Sequence, residues 1–140
     1  MLIREAEISD AHAIQNLLKQ LGYPTFEEQE VLEKIKIHQN PGFKIFVAEV
    51  DNKTVGFISM HWFDLMHWKG YLGRITSFCV DDFFRSMGIG QALLKETEAF
   101  LIKQGCLKIE VTSNRKRTRT HEFYLTAGYT EDSRRFNKVC

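Results

Sequence analysis

The stretch from Val80 to Leu94 is the feature that most constrains how this chain can fold. It joins an apolar strand to an amphipathic helix through a short polar turn that carries the pattern Arg-x-x-Gly-x-Gly. Because Gly88 and Gly90 have no Cβ, the backbone there can approach a ligand closely. The N–H groups at the start of the helix lack intrahelical acceptors and, with the helix dipole, favour an anion. The pattern indicates either a phosphate cradle or a tight strand-to-helix turn that binds nothing.

Length and composition predict a single globular domain over residues 1–140. A chain of 140 residues with 44% hydrophobic side chains can bury a core of its own. The net charge of +1 favours neither nucleic acid nor a membrane as a partner. No apolar run approaches the ~20 residues that a membrane span needs, and Glu5 comes too early for a secretory signal. We therefore expect a cytoplasmic protein.

The cysteines indicate neither a disulfide framework nor a metal site. Cys79, Cys106 and Cys140 are an odd number and form no Cys-x-x-Cys pair. Cys79 lies in an apolar run, where a reduced thiol in the core is the expected state. We therefore expect free thiols and no bound metal.

Hydrophobic periodicity predicts four helices and six strands in one α/β domain. The helices are expected from Ser9 or Asp10 to Leu21, from a capping box at residues 25–28 to Asn40, from Gly88 to Gly105, and over residues 118–127. The strands are expected at residues 2–7, 43–50, 54–63, 71–80, 107–111 and 129–139, with a hairpin turn at residues 51–53. Because a helix connects the strands at 71–80 and 107–111, these two should pair in parallel.

Two features bear on what the glycine-rich turn could hold. The chain lacks both the Lys-Ser/Thr pair of a P-loop and the third glycine of a dinucleotide motif. That leaves a pyrophosphate held mostly by backbone N–H groups, with Arg85 adding charge. The basic run at residues 115–119 is a solvated surface, a contact to a further phosphate of the same ligand, or a nucleic-acid patch. The near-zero net charge disfavours the last of these.

Two other groups of residues are candidate sites. Tyr124 is either an ordinary core aromatic or a proton donor, since a phenol with a pKa of about 10 keeps its proton at neutral pH. His61, Asp64 and His67 lie in and beside the loop between the two middle strands. Their spacing matches no standard metal set, so a polar substrate-binding loop is the favoured interpretation. The aromatic side chains between them suit a partly apolar pocket.

The order of elements and two motifs resemble the GNAT family of N-acetyltransferases over essentially the full length. Residues 85–90, Arg-Ser-Met-Gly-Ile-Gly, match the family's Q/R-x-x-G-x-G/A acetyl-CoA motif, and residues 123–129 match its Y-x-x-x-G-F/Y motif. Residues 105–106, 112–114, 117, 121–124 and 135–138 are similar to a small-molecule branch of the family. The resemblance implies a single-domain α/β fold. The fold would contain a mixed sheet of six to seven strands together with about four helices. The two parallel strands at the centre of the sheet would splay apart at the cofactor site.

The resemblance also implies how residues would be used. Acetyl-CoA would lie between the splayed strands, beside the backbone of Phe78, Cys79 and Val80, with the Val80 N–H polarising the thioester carbonyl. The pyrophosphate would rest on the turn and the helix start, formed by Arg85, Ser86, Met87, Gly88, Ile89, Gly90 and Gln91. The remaining cofactor contacts would come from Asn114, Arg117, Thr120, Phe123 and Tyr124. A neutral primary amine would attack directly, and Tyr124 would protonate the leaving thiolate.

The chain departs from the family pattern at several positions. Ser77 stands where many relatives carry the Glu that deprotonates the amine, which leaves the base open among His61, Asp64, His67 and water. Ser77 is then expected only to contact the acceptor. Ser86 replaces a common glycine and should be tolerated if its φ is negative. Arg117 stands in place of Asn, so that contact would be lost or moved to Asn114, and Thr120 stands in place of Ala.

These observations predict an acetyl-CoA-dependent N-acetyltransferase that acts on a primary amine of a small molecule. The expected partners are that amine and no nucleic acid or membrane, with a homodimer as a family tendency. Two alternatives stay open: an acetyl-CoA-binding regulatory module without turnover, and an acetyltransferase of protein or peptide amines. A nucleic-acid-binding module would instead lose affinity steeply with salt.

Overall fold

The computed structural model describes residues 1–112, 118–132 and 135–140, and within them the chain forms one five-stranded sheet flanked by four helices. The strands are β1 Leu2–Glu5, β2 Phe43–Val50, β3 Lys53–Asp64, β4 Tyr71–Val80 and β5 Cys106–Val111. The helices are α1 Ala11–Leu21, α2 Glu28–Ile37, α3 Ile89–Lys103 and α4 Thr118–Thr126. The strand order is β1-β2-β3-β4-β5. All pairs are antiparallel except β4 with β5, which confirms the predicted parallel pair.

The two faces of the sheet carry different helices. On one face, α1 and α2 bury Ile14, Leu17, Val31 and Ile35 with side chains of the sheet that include Phe57. On the other face, α3 and α4 bury side chains that include Leu93, Leu101 and Tyr124 against Ile58, Met60 and Ile75. Each helix therefore stabilises the fold through one apolar stripe.

Local sequence signals fix the connections between elements. At the β2–β3 hairpin, Asp51 and Asn52 adopt φ values of 50° and 63°, which short polar side chains tolerate, so the predicted turn is confirmed. The capping box of α2 lies two residues later than predicted. Glu27 is the N-cap residue and Glu30 returns the bond to its backbone N–H.

A buried ion pair connects β1 to the start of α1. Asp10 is 4% exposed and accepts two hydrogen bonds from the Arg4 guanidinium, at 2.8 and 2.9 Å. The Asp10 carboxylate also accepts from the Glu7 N–H at 2.7 Å and from the Thr54 hydroxyl at 2.7 Å. Burial alone would raise the pKa of Asp10, but these donors outweigh it and hold the pKa below its usual value.

A bulge in β4 separates two differently paired halves of that strand. Ser77 pairs with Ser59 and Ile75 pairs with Met60, so Thr76 is an inserted residue. The pairing of β4 with β5 ends at Ile75 and Val111. Beyond the bulge β4 keeps β3 on one side and has no strand on the other among the described residues. This is the predicted separation of the parallel strands.

The number of strands is lower than predicted. The residues of the expected closing strand that the structure describes, 129–132 and 135–139, form no strand. Phe136 and Val139 are 94% and 96% exposed. A β-rich sequence becomes a strand only where a partner and a buried face are available, and this segment lacks the burial.

Candidate active site

The turn after β4 is held in place from both sides. The Asp81 N–H donates to the Val55 carbonyl at 2.8 Å, and the Asp82 N–H donates to Gln20 Oε1 of α1 at 3.0 Å. The Asp81 carboxylate accepts from the Phe83 N–H at 3.0 Å. These bonds anchor the segment that leads into α3 through contacts of the protein alone.

The arginine of the turn is engaged by its own segment. Arg85 pairs with the Asp82 carboxylate at 2.9 Å, and its Nε donates to the Val80 carbonyl at 3.1 Å. Its charge is therefore partly offset locally. Ser86 has a φ of 64°, so the condition of a negative φ under which Ser86 should be tolerated in place of glycine is not met. A left-handed conformation is costly for a residue with a Cβ, which explains why a glycine is common at this position.

The start of α3 is open to a ligand. Gly88 is the N-cap residue with a φ of 81°, and a Cβ there would meet nothing within 4 Å. Ile89 is buried and anchors the helix, while Met87, Gly88 and Gln91 are exposed. A Cβ on Gly90 would point into the space between Phe78, Val80 and Phe123, with contacts of 3.7–3.8 Å. The N–H groups of the first helical turn lack intrahelical acceptors, so this open turn fits an anionic group such as a pyrophosphate.

At the end of β4, every second residue points its backbone N–H and C=O groups toward the space beside Gly90. Because the Asp81 N–H bonds to β3, strand alternation points the N–H and C=O groups of Cys79 toward β3 and those of Phe78 and Val80 away from it. Phe78 and Val80 therefore face the side that β5 leaves open. Cys79 is buried, with its Sγ 3.4 Å from the Leu17 carbonyl of α1. The structure thus brings the backbone of Phe78 and Val80, but not that of Cys79, toward the predicted cofactor position.

Tyr124 lies in an aromatic cluster beside this opening. It is 7% exposed, and its ring centroid is 6.5 Å from that of Phe78, 5.5 Å from that of Phe123 and 5.6 Å from that of Tyr129. The Tyr129 hydroxyl donates to Glu98 at 2.9 Å, and burial together with that carboxylate raises the pKa of Tyr129. The structure thus brings Tyr124 and Phe123 of α4 together with the end of β4.

A cavity of about 290 Å³ lies on the opposite face of the sheet, between α1, α2 and the bulge of β4. Its polar wall is Ser59, Thr76 and Ser77, where the Ser59 and Thr76 hydroxyls are 2.7 Å apart. The rest of the wall is formed by Ile14, Leu18, Tyr23, Phe26, Val31, Lys34, Ile35, His38, Ile45 and Phe57. Sequence reasoning placed Ser77 in the acceptor site but missed the helical wall. The sequence signal that could have indicated this wall is the pair of aromatic residues Tyr23 and Phe26 in the short α1–α2 connection.

His38 gives this cavity a titratable group. It follows the last residue of α2, and its Nδ1 is 2.7 Å from the Lys34 carbonyl oxygen. Burial lowers the pKa of His38 most, the Lys34 carbonyl opposes that shift, and the Lys34 and His61 charges add to it. His38 is therefore neutral at pH 7.

The other predicted substrate residues are not gathered at the bulge. His61 Nδ1 is 2.9 Å from the Gly42 carbonyl, and its ring stacks on Phe43 and Phe63 at 4.4 and 4.8 Å. Asp64 pairs with Tyr71 at the far end of β4, and His67 is exposed in the following loop. At ~3.3 Å per residue, the ten residues of β4 put that end about 30 Å from Val80.

A second, more open cavity of about 490 Å³ meets the bulge from the β5 side. Arg74, Ile75 and Thr76 line it together with Thr112 and residues 135–137. Arg74 is paired with Glu110 and lies over the Phe63 ring, 5.3 Å from its centroid. Arg135 donates to the Thr112 hydroxyl at 2.8 Å. Thr76 lines both cavities, so they lie next to each other where the β4–β5 pairing ends.

Part of the predicted site lies outside the described residues. Asn114, Arg117 and the basic residues 115–116 belong to the stretch 113–117. Thr120 is half-buried on α4, one turn before Phe123. Within the described ranges, no group of three or more His, Cys, Asp or Glu side chains could hold a metal ion, and no helix is long and apolar enough to span a membrane.

Comparison with known proteins identifies this arrangement. The model of the acetyltransferase (GNAT) family matches residues 11–129, which include β4, the glycine-rich turn, α3 and α4. The chain belongs to the GNAT family. It is therefore an acyltransferase of the N-acetyltransferase type, and members of this family use acetyl-CoA. The resemblance inferred from the two motifs is confirmed.

Individual relatives cover nearly the whole chain. An aminoalkylphosphonate N-acetyltransferase of Salmonella typhimurium (strain LT2) is 27% identical over 142 positions, which cover 98% of this chain and 90% of that protein. A crystal structure described as a transcriptional regulator from Bacillus halodurans C-125 superposes with a TM-score of 0.91 at 18% identity, covering 99% of each chain. An aminoglycoside N-acetyltransferase in complex with CoA superposes with a TM-score of 0.86 at 19% identity, covering 99% of this chain and 95% of that one. At such identities the two structures show the α/β fold, which confirms the predicted class.

Proposed function

We propose that this acyltransferase transfers the acetyl group of acetyl-CoA to the primary amine of a small molecule with an apolar body. The observation that carries the proposal is the cavity of about 290 Å³ that reaches Thr76 and Ser77 from the α1–α2 face. It meets β4 at the point where the strand pairing opens toward the turn of α3. An acceptor on one face and a cofactor on the other would therefore meet through the gap.

The cofactor side is supported by the turn and by the alternation of β4. The backbone from Arg85 to Gln91 would hold the pyrophosphate, and the space facing Gly90 would admit the adjoining arm. Phe78 and Val80 direct their backbone groups to the open side, so the Val80 N–H can polarise a thioester carbonyl there. Acetyl-CoA supplies the activated acyl group. Cys79 would make no contact with the cofactor, because its backbone groups point toward β3.

The transfer needs no covalent enzyme intermediate. The amine nitrogen forms the new C–N bond directly, and the C–S bond of the thioester breaks. Tyr124 lies against Phe78 in the wall of the opening and can give its phenolic proton to the departing sulfur. A phenol suits this role because it keeps its proton at neutral pH until the sulfur begins to leave.

The cavity wall indicates the class of amine. Side chains such as Phe26, Ile35 and Phe57 would surround an apolar body. The lining residues, all within the described ranges, include no carboxylate, so a second ammonium group would be uncompensated there. Burying a hydrophobic group gains roughly 1.5–3 kcal/mol. Aryl- or alkylamines are therefore the proposed class, rather than polyamines and aminoglycosides, which bring further ammonium groups, or aminoalkylphosphonates, whose doubly charged group would have Lys34 as its one lysine or arginine partner among apolar side chains.

A thiol-release assay with a panel of amines tests the proposal. We expect phenylethylamine or hexylamine to give a kcat/KM at least about tenfold above spermidine and aminoethylphosphonate. Replacing Tyr23, which is 51% exposed at the cavity wall, by Ala should raise KM for the aryl amine and leave CoA affinity unchanged. Tyr71→Ala, at the far end of β4, is the matched control. CoA binding with no amine-dependent thiol release would show a binding module instead, and a preference for spermidine or the phosphonate would overturn the amine class.

A further inference from the structure

His38 occupies a defined position in the wall of the acceptor cavity. It caps the C-terminus of α2, and its ring meets that of Phe43 edge-on with centroids 5.4 Å apart. The same cavity is bounded by Ser59, Thr76 and Ser77 of the sheet. One continuous space therefore connects the imidazole with the bulge, where β4 and β5 separate.

The hydrogen bond of His38 determines its tautomer. Nδ1 is 2.7 Å from the Lys34 carbonyl oxygen, and a carbonyl oxygen can only accept. Nδ1 must therefore carry the proton in the neutral ring. Nε2 then has an available lone pair, which is the state that a general base requires.

The surroundings of His38 keep the ring neutral. From α2 the facing charge is the Lys34 ammonium, and from β3 it is His61, while the β2 neighbour Phe43 carries no charge. Burial lowers the pKa of His38 and both charges act in the same direction. Above this lowered pKa, Nε2 is unprotonated and can accept a proton. As the pH falls through the pKa, Nε2 becomes protonated and can no longer act as a base.

We propose that His38 is the general base that deprotonates the acceptor ammonium, directly or through one water molecule; this rests on the proposed function. One proton passes from the ammonium to Nε2 and then to solvent. The neutral nitrogen bonds to the acyl carbon and the C–S bond breaks. The nitrogen then loses its second proton, and the thiolate gains one. The products are the amide, the thiol and one proton released to water.

The structure favours His38 over the residues suggested by the sequence. The His61 ring is sandwiched between Phe43 and Phe63 and does not line the cavity. Asp64 and His67 lie at the other end of β4. Ser77 lines the cavity, but a neutral hydroxyl is too weak a base to take a proton from an ammonium group. No spacing rule could find His38, because it lies in a different part of the sequence from β4.

The test compares His38→Asn with His12→Asn. The amide introduced by His38→Asn would keep a donor near the Nδ1 position and remove Nε2, whereas His12 lies on the exposed outer surface of α1, 2.9 Å from Glu28. We expect His38→Asn to lower kcat/KM at pH 7 by about 10²-fold or more and to leave CoA affinity intact. Its rate should rise with pH until the amine itself loses its proton. His12→Asn should match the wild type.

A second measurement does not depend on the variant folding. In the wild-type protein, NMR titration should give His38 a pKa below the ordinary value of 6.5 and a protonated Nδ1, and the acidic limb of kcat/KM should follow the same pKa. An unchanged pH profile in folded His38→Asn, a wild-type limb that does not follow His38, or loss of the limb in His61→Asn would overturn the proposal. Absence of turnover with every amine would instead overturn the proposed function.

Discussion

Tyr124 combines a position in the core with the acid role proposed for it. Its ring is buried among Phe78, Phe123 and Tyr129, which accounts for its apolar surface. The same contacts hold it beside the open side of β4. Pattern alone could not separate the two roles, since both require an aromatic ring on the inner face of α4.

Replacing Tyr124 by Phe separates packing from proton donation. The ring remains, so the fold should survive, while kcat should fall by about 10²-fold or more with the loss of the acid. CoA affinity, measured by calorimetry, should stay the same. Tyr71→Phe removes a hydroxyl at the far end of β4 and is the matched control. Unchanged kcat and pH profile in Tyr124→Phe would remove this residue from the acid role.

At the scale of elements, the start of α3 contains two glycines with different structural roles. Gly88 has a φ of 81°, a conformation that disfavours side chains, but space for a Cβ exists there. Gly90 has no positive φ and faces Phe78, Val80 and Phe123 across a gap. One glycine therefore shapes the turn, and the other leaves room next to it.

Alanine at the two positions should change different properties, namely the stability of the fold at Gly88 and the affinity for CoA at Gly90. Gly88→Ala should lower the free energy of unfolding by about 1–2 kcal/mol, because of its left-handed φ. Gly90→Ala should leave stability nearly unchanged, since its Cβ contacts are ordinary, and should weaken CoA binding by about tenfold or more by narrowing the gap. Urea denaturation and calorimetry measure the two quantities. Tight CoA binding by Gly90→Ala and also by Gly90→Val would contradict the proposed position of the cofactor.

The Arg4–Asp10 pair joins several elements at one buried carboxylate. Asp10→Asn should lower the free energy of unfolding at pH 7 by about 2–3 kcal/mol, less than for a fully buried pair because Arg4 keeps some solvent contact. Since the folded pKa of Asp10 lies below its unfolded value of 3.8, this stabilisation is present above pH 3.8 and is lost as pH falls through the lowered pKa.

Urea denaturation at several pH values checks this prediction. The difference between wild type and Asp10→Asn should shrink below pH 3.8. Glu49→Gln is the control, because Glu49 contacts the same Arg4 at a longer 3.4 Å and is more exposed. Its cost should stay below about 1 kcal/mol. Equal losses in the two variants would mean that burial of Asp10 adds nothing.

At the scale of the whole molecule, the sequence predicted what local periodicity determines. The four helices, the β2–β3 hairpin and the parallel β4–β5 pair follow from apolar spacing and turn residues, and the structure confirms them. The proposed acceptor cavity could not be predicted, because His38 and Ser77 come to line the same space only through the packing of α2 on the sheet. The sign of the Ser86 φ also depends on how the turn is anchored by Gln20 and Val55.

The terminal segment provides a test of the strand count. Residues 135–140 are exposed, and Arg135 bonds to Thr112. Deleting these six residues should cost no more than about 1 kcal/mol, the value of one typical hydrogen bond. Deleting residues 1–5 removes β1 and Arg4 and should unfold the protein. A loss of several kcal/mol on deletion of residues 135–140 would mean that this segment pairs as a sixth strand in solution.

The extra residue in β4 shifts by one sequence position the alternation of its side chains between the two faces of the sheet. Gly73 and Ile75 face α3 before Thr76, and Phe78 and Val80 face it afterwards, so odd positions give way to even ones. Removing the single codon for Thr76 would restore regular alternation and a more ordinary strand. Ile75 and Ser77 would then lie next to each other opposite Met60 and Ser59, and Ile75, Phe78 and Val80 would still face α3. The deletion would instead remove the local twist that a bulge adds to a strand, together with the one described residue that lines both cavities.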